Sequence, residues 1–586
     1  MAGAALATEL AEGRLGTVVA TQTPDLPAMY GDLADADRTV ELVGWIVDDD
    51  DDERARFDLQ WSWDVMGHEW RYATEAHAVW ADEAWTVEWD PAIVHPAAQA
   101  GSAFELSRTR PAGRAEIVSP TSGAIVTSRP VYNIGVDKTF VTDPETQRAA
   151  AIELASGLGF EDPESYAARV EAAGERAFVL AVTVRQEDAE AWNVEELRQI
   201  EGVNVVSAEA QLAPSSRFAR PILGRVGEAT AEIIEASEGR VLAGDMVGLG
   251  GLQEAYDEQL AGVPGVEVVL TIGEDRQSVF SAPPEEGTAL EITLDQALQD
   301  HAETVIEGEE GVAALVAIEP STGHVLAAAA TDSWNVSSLG EYAPGSTFKV
   351  VTALALLRAG YTPESPMECP ETLVVDGRTF SNYPGYAHTG TITLREAIAY
   401  SCNTAFLGVA EEITGEDIAS AALSLGIGQP GPWAFEYFSG NVPSDATGTT
   451  HAAGLFGQGE VVVSPMAMAT VAASIAAGET VTPMLIVGEA PELSGETVTL
   501  TAEESAALIG MMGAVVDYGT ASALAHLDGL YAKTGTAEVG EEDQTNAWMI
   551  AVRDDLAIAV FVEDSGSGAS NAGPLAAAFF SGLTRP

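Results

Sequence analysis

Lysine is nearly missing from this chain of 586 residues, which has only Lys138, Lys349 and Lys533. The 27 basic side chains are therefore almost all arginine, and 90 acidic side chains outnumber them, for a formal net charge of −63. Such an excess of acid leaves no basic patch to pair with phosphates, which argues against nucleic acid or anionic lipid as a partner. We expect a solvated acidic surface, on which lysine is not a general filler.

Cysteine is scarce too. Cys369 and Cys402 are too few for a disulfide framework or a four-ligand zinc site. They could form one bridge or remain two buried free thiols, and the sequence leaves both alternatives open. The eight histidines are scattered without metal-ligand spacing, so we predict neither a metal site nor a cofactor.

Long apolar runs are also absent. No segment reaches the roughly 18 consecutive apolar residues of a membrane span. The first residues lack the basic group and the long apolar stretch of a signal peptide. These observations predict either a cytosolic protein or an exported one whose targeting segment is not in this chain.

The residues that are present predict a globular protein of about three domains. Seven of the 11 tryptophans precede residue 90, which marks a small separate domain. In that domain we predict a helix near residues 4–20. Period-two alternation at residues 57–63 and 85–89 predicts a half-buried antiparallel sheet. The acidic run at residues 48–53 is predicted to be a hairpin turn.

A second region, at about residues 110–280, mixes short strands with polar helices. We predict a helix at residues 143–158 and a strand at 177–184, and we find no catalytic group of residue types here. Residues 277–288 contain paired prolines and predict a domain boundary.

The region from residue 290 onward is predicted to run helix, strand, long helical block and terminal strands. Apolar strands at residues 547–552 and 556–562 predict a hairpin, with a strand at 530–533 beside it. The predicted domains are residues 1–108, 109–280 and 281–586.

Ser346 and Lys349 form an S-x-x-K pattern. Proline before it and Gly360 after it favour a helix over residues 346–359. Residues i and i+3 share a helix face, so the two side chains can touch. Burial lowers the pKa of a lysine, which then can accept the serine proton. The pattern alone is more typical of a capping serine followed by a surface lysine than of a nucleophile and its base.

Two further motifs follow in order along the chain. Residues 401–403 are Ser-Cys-Asn, after a predicted helix at 394–400, and residues 533–535 are Lys-Thr-Gly, after a predicted strand. A second serine and an amide beside a nucleophile can relay a proton and bind a substrate backbone. A lysine and hydroxyls on an edge strand can hold a carboxylate, and Gly535 lets a backbone approach closely. The three motifs in this order are the signature of class A β-lactamases and penicillin-binding proteins.

The chain resembles class B penicillin-binding proteins, the peptidoglycan transpeptidases, over nearly its whole length. The runs that carry the resemblance are residues 341–346 (EYAPGS), 401–406 (SCNTAF), 457–459 (GQG) and 531–538 (YAKTGTAE). Residues 317–323 look like the first sheet strand of the catalytic domain, and residues 247–257 resemble the pedestal, or dimerisation, domain.

The N-terminal region adds a finer resemblance. Residues 85–96 look like the small cone-shaped domain of methicillin-resistance-type transpeptidases and of actinobacterial penicillin-binding lipoproteins. The resemblance implies a multidomain α+β fold. A C-terminal β-lactamase-like transpeptidase domain, with an antiparallel sheet flanked by helices, would follow a pedestal domain and a cone-shaped α+β domain.

The resemblance implies the catalytic roles. Ser346 would be acylated and Lys349 would be its base. Ser401 would relay the leaving-group proton, and Asn403 would bind the peptide amide of the donor.

It also implies the substrate contacts. Lys533, Thr534 and Thr536 would contact the terminal carboxylate, with Gly535 allowing close approach. The backbone N–H groups at the nucleophile and at Thr536 would form the oxyanion hole. Gln458 would either line the pocket or cap a turn.

The implied activity is that of a D,D-transpeptidase that cross-links stem peptides through a serine acyl-enzyme and is covalently inhibited by β-lactams. One alternative is a β-lactam sensor or assembly scaffold that is acylated without turnover. Another is a β-lactamase, for which the sequence identifies no deacylating carboxylate. The implied partners are D-Ala-D-Ala donor peptides, β-lactams and, as a further candidate, a membrane glycan polymerase. The family is extracytoplasmic and membrane-anchored, and we expect the anchor to be missing from this chain.

Overall fold

The computed structural model describes residues 2–48, 52–81, 83–111, 113–237, 240–332, 334–489, 499–540 and 544–583. Its α-helices are α1 (Ala2–Ala11), α2 (Leu26–Tyr30), α3 (Pro144–Gly157), α4 (Pro163–Ala172), α5 (Val194–Leu197), α6 (Arg220–Leu223), α7 (Ala231–Ala236), α8 (Gly251–Ala255), α9 (Asp257–Ala261), α10 (Gln296–Ile306), α11 (Val336–Leu339), α12 (Lys349–Arg358), α13 (Leu394–Ala399), α14 (Asn403–Leu407), α15 (Gly415–Ser424), α16 (Gly448–Gly454), α17 (Pro465–Ala477), α18 (Ala502–Asp517) and α19 (Gly573–Gly582).

Its strands are β1 (Arg38–Val47), β2 (Arg54–Val65), β3 (His68–Ala81), β4 (Ala84–Glu88), β5 (Ser102–Thr109), β6 (Ile117–Ser119), β7 (Gly123–Asp137), β8 (Phe178–Arg185), β9 (Val203–Leu212), β10 (Val226–Glu228), β11 (Met246–Gly248), β12 (Gly265–Ile272), β13 (Asp275–Ala282), β14 (Leu290–Glu291), β15 (Ala313–Ile318), β16 (Val325–Ala330), β17 (Pro366–Cys369), β18 (Thr372–Val375), β19 (Arg378–Ser381), β20 (Gly390–Thr393), β21 (Tyr531–Val539), β22 (Gln544–Arg553) and β23 (Leu556–Val562).

The chain forms two compact units, and each is assembled from separate stretches of sequence. The first consists of residues 1–115, 227–247 and 256–289, and the second of residues 116–226, 248–255 and 290–586. The division at residues 108/109 and 280/281 stays a prediction. The predicted α+β class is confirmed, with antiparallel sheets in both units.

The tryptophan-rich region of the first unit is the predicted antiparallel sheet, with the order β1-β2-β3-β4. Alternate residues of β2 are buried, and among them the Trp61 and Trp63 rings stack in parallel with centroids 5.8 Å apart. Tyr30 contacts Trp63 edge-on at 5.3 Å. These rings form the core of the sheet's inner face. In the predicted turn at 48–53, residues 49–51 lie outside the described residues.

The N-terminal helix is shorter than predicted, because α1 ends at Ala11 rather than near residue 20. Gly13 takes a left-handed φ of 71°, which ends helices. The Glu9 carboxylate then accepts the N–H groups of Gly16 and Thr17 at 2.8 and 2.7 Å. A side chain of α1, that of Glu9, therefore holds the residues that follow the helix in a turn.

The segment predicted as a domain boundary, residues 277–288, is partly strand. Its first part belongs to β13, which pairs with β12. Phe280 stacks on Trp70 with ring centroids 5.5 Å apart, so the apolar residues of this segment belong to the tryptophan core. The paired prolines follow the strand.

In the second unit, β14, β6, β7 and β8 form a sheet in that order, with β9 also paired to β7. The helix and strand predicted at 143–158 and 177–184 are confirmed as α3 and β8. Lys138 is buried, and its Nζ donates to the carbonyls of Val170 and Ala173 at 3.0 and 2.7 Å, at the end of α4. This lysine satisfies the last carbonyls of a helix.

A second five-stranded sheet of this unit has the order β16-β15-β23-β22-β21 and is antiparallel throughout. All six residues of β15 are buried, so both faces of the sheet are covered. Helices α10 and α17 both pack on β15. The predicted C-terminal hairpin is β22–β23, and β21 lies beside it as an edge strand. Among the described residues, no helix combines the length and the apolar character needed to span a membrane.

Candidate active site

The nucleophile motif begins with a tighter turn than the predicted single helix. Gly345–Phe348 is a 3₁₀ turn that continues directly into α12. Gly345 has a φ of 53°, and a Cβ at this position would clash with the carbonyl oxygen of Thr536 on β21. Only glycine permits this approach. The turn therefore places half-buried Ser346 directly against the edge strand.

The edge strand is equally restricted from its own side. A Cβ on Gly535 would lie 2.8 Å from Thr347 Cγ2 and 2.9 Å from the carbonyl oxygen of Pro344. The indole N–H of Trp548, on the neighbouring strand, donates to the carbonyl of Ala343 at 3.0 Å. Close backbone packing thus brings the S-x-x-K and K-T-G motifs together.

Lys349 joins the first motif to the second. Its side chain is fully buried, and Nζ donates to the Ser401 carbonyl oxygen at 2.8 Å, to Ser401 Oγ at 3.2 Å and to Asn403 Oδ1 at 2.7 Å. The Phe406 ring lies 5.6 Å from the same nitrogen. Three oxygens match the three donors of an ammonium group.

Lys533 reaches the same serine from β21. It is also fully buried, and its Nζ donates to Ser401 Oγ at 3.0 Å and to the Thr534 carbonyl at 2.7 Å. The Thr534 hydroxyl lies 2.6 Å from that of Thr520. The Ser401 hydroxyl therefore lies between two amines, one from each flanking motif.

Burial shapes the protonation of both amines. Desolvation holds the pKa of Lys349 well below its ordinary value, and repulsion from Lys533 lowers it further. Desolvation lowers the pKa of Lys533 to about 7. The oxygens bonded to the two nitrogens are all neutral, so they favour the charged form less than a carboxylate would. The lowered pKa of Lys349 favours the neutral amine, the form that a general base needs.

Ser401 has a strained backbone. Its φ is 60°, in the left-handed region that costs a non-glycine residue roughly 1–2 kcal/mol. It lies in the short connection between α13 and α14, where the N–H of Cys402 donates to the Ala397 carbonyl at 3.0 Å. Such a conformation persists only where its surroundings enforce it.

Cys369 and Cys402 form a disulfide, so the alternative of two free thiols is wrong. Their Cα atoms are 6.4 Å apart and both residues are fully buried. The bridge ties the residue between Ser401 and Asn403 to the end of β17. A sulfur of the bridge, Cys402 Sγ, also accepts the N–H of Ala405 at 3.2 Å.

Asn382 holds the S-x-N motif and was not among the residues predicted from the sequence. Its Oδ1 accepts the N–H groups of Asn403 at 2.7 Å and Thr404 at 3.2 Å. Its Nδ2 donates to the Pro370 carbonyl at 3.3 Å and to the Thr404 hydroxyl at 3.1 Å. An asparagine in a Ser-Asn-Tyr-Pro loop is an ordinary turn residue in sequence, so no signal distinguished it.

The remaining predicted site residues lie around this centre. Half-buried Thr536 accepts the N–H of Gly568 at its hydroxyl, at 3.2 Å. Gln458 is half-buried and donates its backbone N–H to the Ala453 carbonyl at 3.1 Å. The preceding Gly457 accepts the N–H of Gly345 at 2.9 Å, so this segment lies against the nucleophile turn. Whether Gln458 lines the pocket or caps a turn stays a prediction.

Two domain families match the chain. Residues 109–292 match the Penicillin-binding Protein dimerisation domain, and residues 313–582 match the Penicillin binding protein transpeptidase domain. Within the described residues, no group of three or more His, Cys, Asp or Glu side chains is placed to hold a metal ion.

Curated relatives share these domains. The chain is 32% identical over 321 residues to the peptidoglycan D,D-transpeptidase PbpA of Mycolicibacterium smegmatis, covering 45% of this chain and 64% of the relative. It is 22% identical over 534 residues to penicillin-binding protein 3 of Bacillus subtilis, covering 82% and 78%. The match to PbpA therefore spans somewhat less than two thirds of that protein.

A solved structure has the same fold. It is the complex between penicillin-binding protein PBP2 and MreC from Helicobacter pylori, with a TM-score of 0.61 and 19% sequence identity. The match covers 82% of this chain and 98% of that chain.

Proposed function

Because this chain is a class B penicillin-binding protein, with a dimerisation domain followed by a transpeptidase domain, we propose that it is a serine D,D-transpeptidase of peptidoglycan. The observation that carries the proposal is the meeting of Lys349 and Lys533 at the hydroxyl of Ser401, beside the turn that holds Ser346. An acyl-transfer enzyme needs a base, a proton relay and an electropositive site at one point.

In the proposed acylation, neutral Lys349 removes the proton of Ser346 Oγ, which attacks the carbonyl carbon between the two D-alanines of a stem peptide. The negative charge on the carbonyl oxygen is stabilised by the backbone N–H groups of Ser346 and Thr536. The C–N bond then breaks, Ser401 gives its proton to the departing amine of the terminal D-alanine, and Lys349 returns to Ser401 the proton that it took from Ser346. An ester on Ser346 remains.

The substrate contacts follow from the charges. Lys533, with Thr534 and Thr536, holds the terminal carboxylate of the donor, and Asn403 binds its peptide amide. Gly535 leaves room for the donor backbone along β21, and Gln458 borders the pocket. In the second half of the reaction, the amine of an acceptor stem peptide attacks the ester carbon. The C–O bond to Ser346 breaks, the proton lost by the amine returns to Ser346 Oγ, and an amide cross-link remains.

The finer proposals concern subtype, partners and location. We assign the chain to the actinobacterial lipoprotein or methicillin-resistance type on the resemblance of residues 85–96. The protein would act outside the cytoplasm, anchored to the membrane, with a glycan polymerase as its partner. The Helicobacter pylori structure contains MreC, so a partner protein of that kind is a second candidate.

Labelling with fluorescent penicillin tests the activity. We expect the native protein to keep the label after denaturation, Ser346→Ala to lose it and Ser321→Ala, at an exposed serine of the same unit, to keep it. Label retained by Ser346→Ala would contradict the assignment. A long-lived adduct argues against a β-lactamase. Turnover of a D-Ala-D-Ala peptide with an acceptor amine then separates a transpeptidase from a sensor that is only acylated.

A further inference from the structure

Helix α14 is held at its first turn by a residue from a distant part of the chain. The first N–H groups of a helix have no partner within it. Here those of Asn403 and Thr404 both donate to Asn382 Oδ1, and that of Ala405 donates to Cys402 Sγ. A side chain outside the helix therefore fixes where α14 begins.

The orientation of the Asn382 amide is set by its neighbours. Backbone N–H groups can only donate and the Pro370 carbonyl can only accept, so Oδ1 must face α14 and Nδ2 must face Pro370. The Thr404 hydroxyl donates to the same carbonyl at 2.7 Å and accepts from Nδ2. Each polar atom of the amide is bonded. The contacts of Asn382 with α14 and Pro370, which we call the clamp, are therefore rigid.

A single residue, Asn403, connects the clamp to Lys349. The Asn403 side chain is held between the carbonyl of Ser381, which accepts from Nδ2 at 3.1 Å, and Lys349 Nζ, which donates to Oδ1 at 2.7 Å. On the other side of Cys402, Ser401 holds its left-handed conformation and offers both of its oxygens to the same nitrogen. Movement of the start of α14 would displace all three oxygens around Lys349.

We propose that Asn382 is a positioning residue for acylation. Its amide holds residues 401–403 so that the Ser401 and Asn403 oxygens keep Lys349 Nζ in place for the reaction at Ser346. The inference rests on the proposed function, and it adds a residue outside the three motifs to the machinery.

The test compares the full chain with Asn382→Ala, Asn382→Asp and a control, Asn335→Ala. Asn335 is a buried asparagine, where Asn382 is half-buried, and its Oδ1 likewise accepts a backbone N–H at the start of a helix, at α11. We would measure the second-order rate of penicillin acylation from pH 5 to pH 9, together with the thermal midpoint. We expect the rate to fall roughly 10- to 100-fold in Asn382→Ala and to stay within about twofold of native in the control. Asn382→Asp keeps both acceptor bonds to α14 but places a carboxylate oxygen against the Pro370 carbonyl, so it should recover only part of the rate.

The pH profile distinguishes positioning from a purely structural role. The charged group that acts on Lys349 is Lys533, and the other groups bonded to it are neutral. Loss of the Asn403 Oδ1 contact removes an acceptor from the protonated amine. The midpoint at which the rate rises with pH should therefore move to lower pH in Asn382→Ala.

An unchanged rate and profile in Asn382→Ala, with a thermal midpoint lowered as in the control, would overturn the proposal. If Asn382→Ala does not fold, Asn382→Ser decides by the same two readouts, because a hydroxyl is too short to bond both N–H groups. Absence of label on Ser346 in the native protein would instead refute the proposed function itself.

Discussion

Removal of the Cys369–Cys402 bridge should have a large effect on stability. The two cysteines are 33 residues apart, and a closed loop of that length is expected to stabilise the folded chain by about 3–4 kcal/mol through the unfolded state. Both side chains are fully buried, so replacement by alanine also leaves small cavities. At roughly 2–3 °C per kcal/mol for a domain of this size, the thermal midpoint should fall by about 6–12 °C.

The comparison uses both single variants, Cys369→Ala and Cys402→Ala, and the double variant. Because the bridge needs both sulfurs, each single variant should lose nearly the whole effect and the double variant little more. Thermal unfolding by circular dichroism gives the midpoints. Thiol titration of the unfolded, unreduced native protein gives the number of free thiols, which should be zero.

Function should fall together with stability, because the bridge fixes the residue between Ser401 and Asn403. We expect slower penicillin acylation in all three variants at a temperature where each is folded. Two free thiols in the native protein, or single-variant losses that add up in the double variant, would refute the reasoning.

Two further predictions concern the amines. At Lys349, arginine should be as poor as alanine, with the acylation rate lowered at least about 100-fold, because the role needs a neutral amine. At Lys533, arginine should be tolerated better than alanine, because a fixed positive charge can still hold a carboxylate. Measured acylation rates decide this, and equal tolerance of arginine at both positions would contradict it. The second prediction is that stability depends on pH. The pKa of Lys533 is about 7 in the folded protein and 10.5 for the free side chain, so between these values the unfolded chain binds more protons than the folded one. Folding therefore becomes more favourable as pH rises from 7 to 10.5. Over that window, the free energy of unfolding of the native protein should rise by up to about 1.4 kcal/mol per pH unit relative to that of Lys533→Met. Denaturant unfolding in which the two free energies differ by the same amount at every pH would argue against this prediction.

The sequence predicted those parts of the site whose chemistry lies in local spacing. Ser346 and Lys349 are three residues apart, and residues 401–403 and 533–535 are contiguous, so each motif is visible without the fold. The strands around Lys533 were predictable because they alternate or are continuously apolar. How the motifs meet at the Ser401 hydroxyl depends on packing between β21, α12 and α14, which spacing alone does not encode.

The parts that could not be predicted depend on contacts between distant residues. Asn382 acts on α14 through two hydrogen bonds that no pattern announces, and the cysteine pairing depends on a Cα separation. The turn that follows α1 is held by the Glu9 carboxylate, which a propensity argument does not consider. Each compact unit is likewise assembled from three separate stretches of the chain. Domains predicted from the sequence are continuous stretches, so such a prediction does not produce units of this kind.

All three lysines of the chain are buried, with Lys138 at 7% exposure and the other two at 0%. The folded surface therefore offers no side-chain amine, and an amine-reactive ester should attach mainly at the α-amino group. Such a reagent gives a uniform, single-point attachment for immobilisation or fluorescence. Slow modification of Lys349 or Lys533 would then measure how often the site opens to solvent, with bound penicillin as the condition that should suppress it.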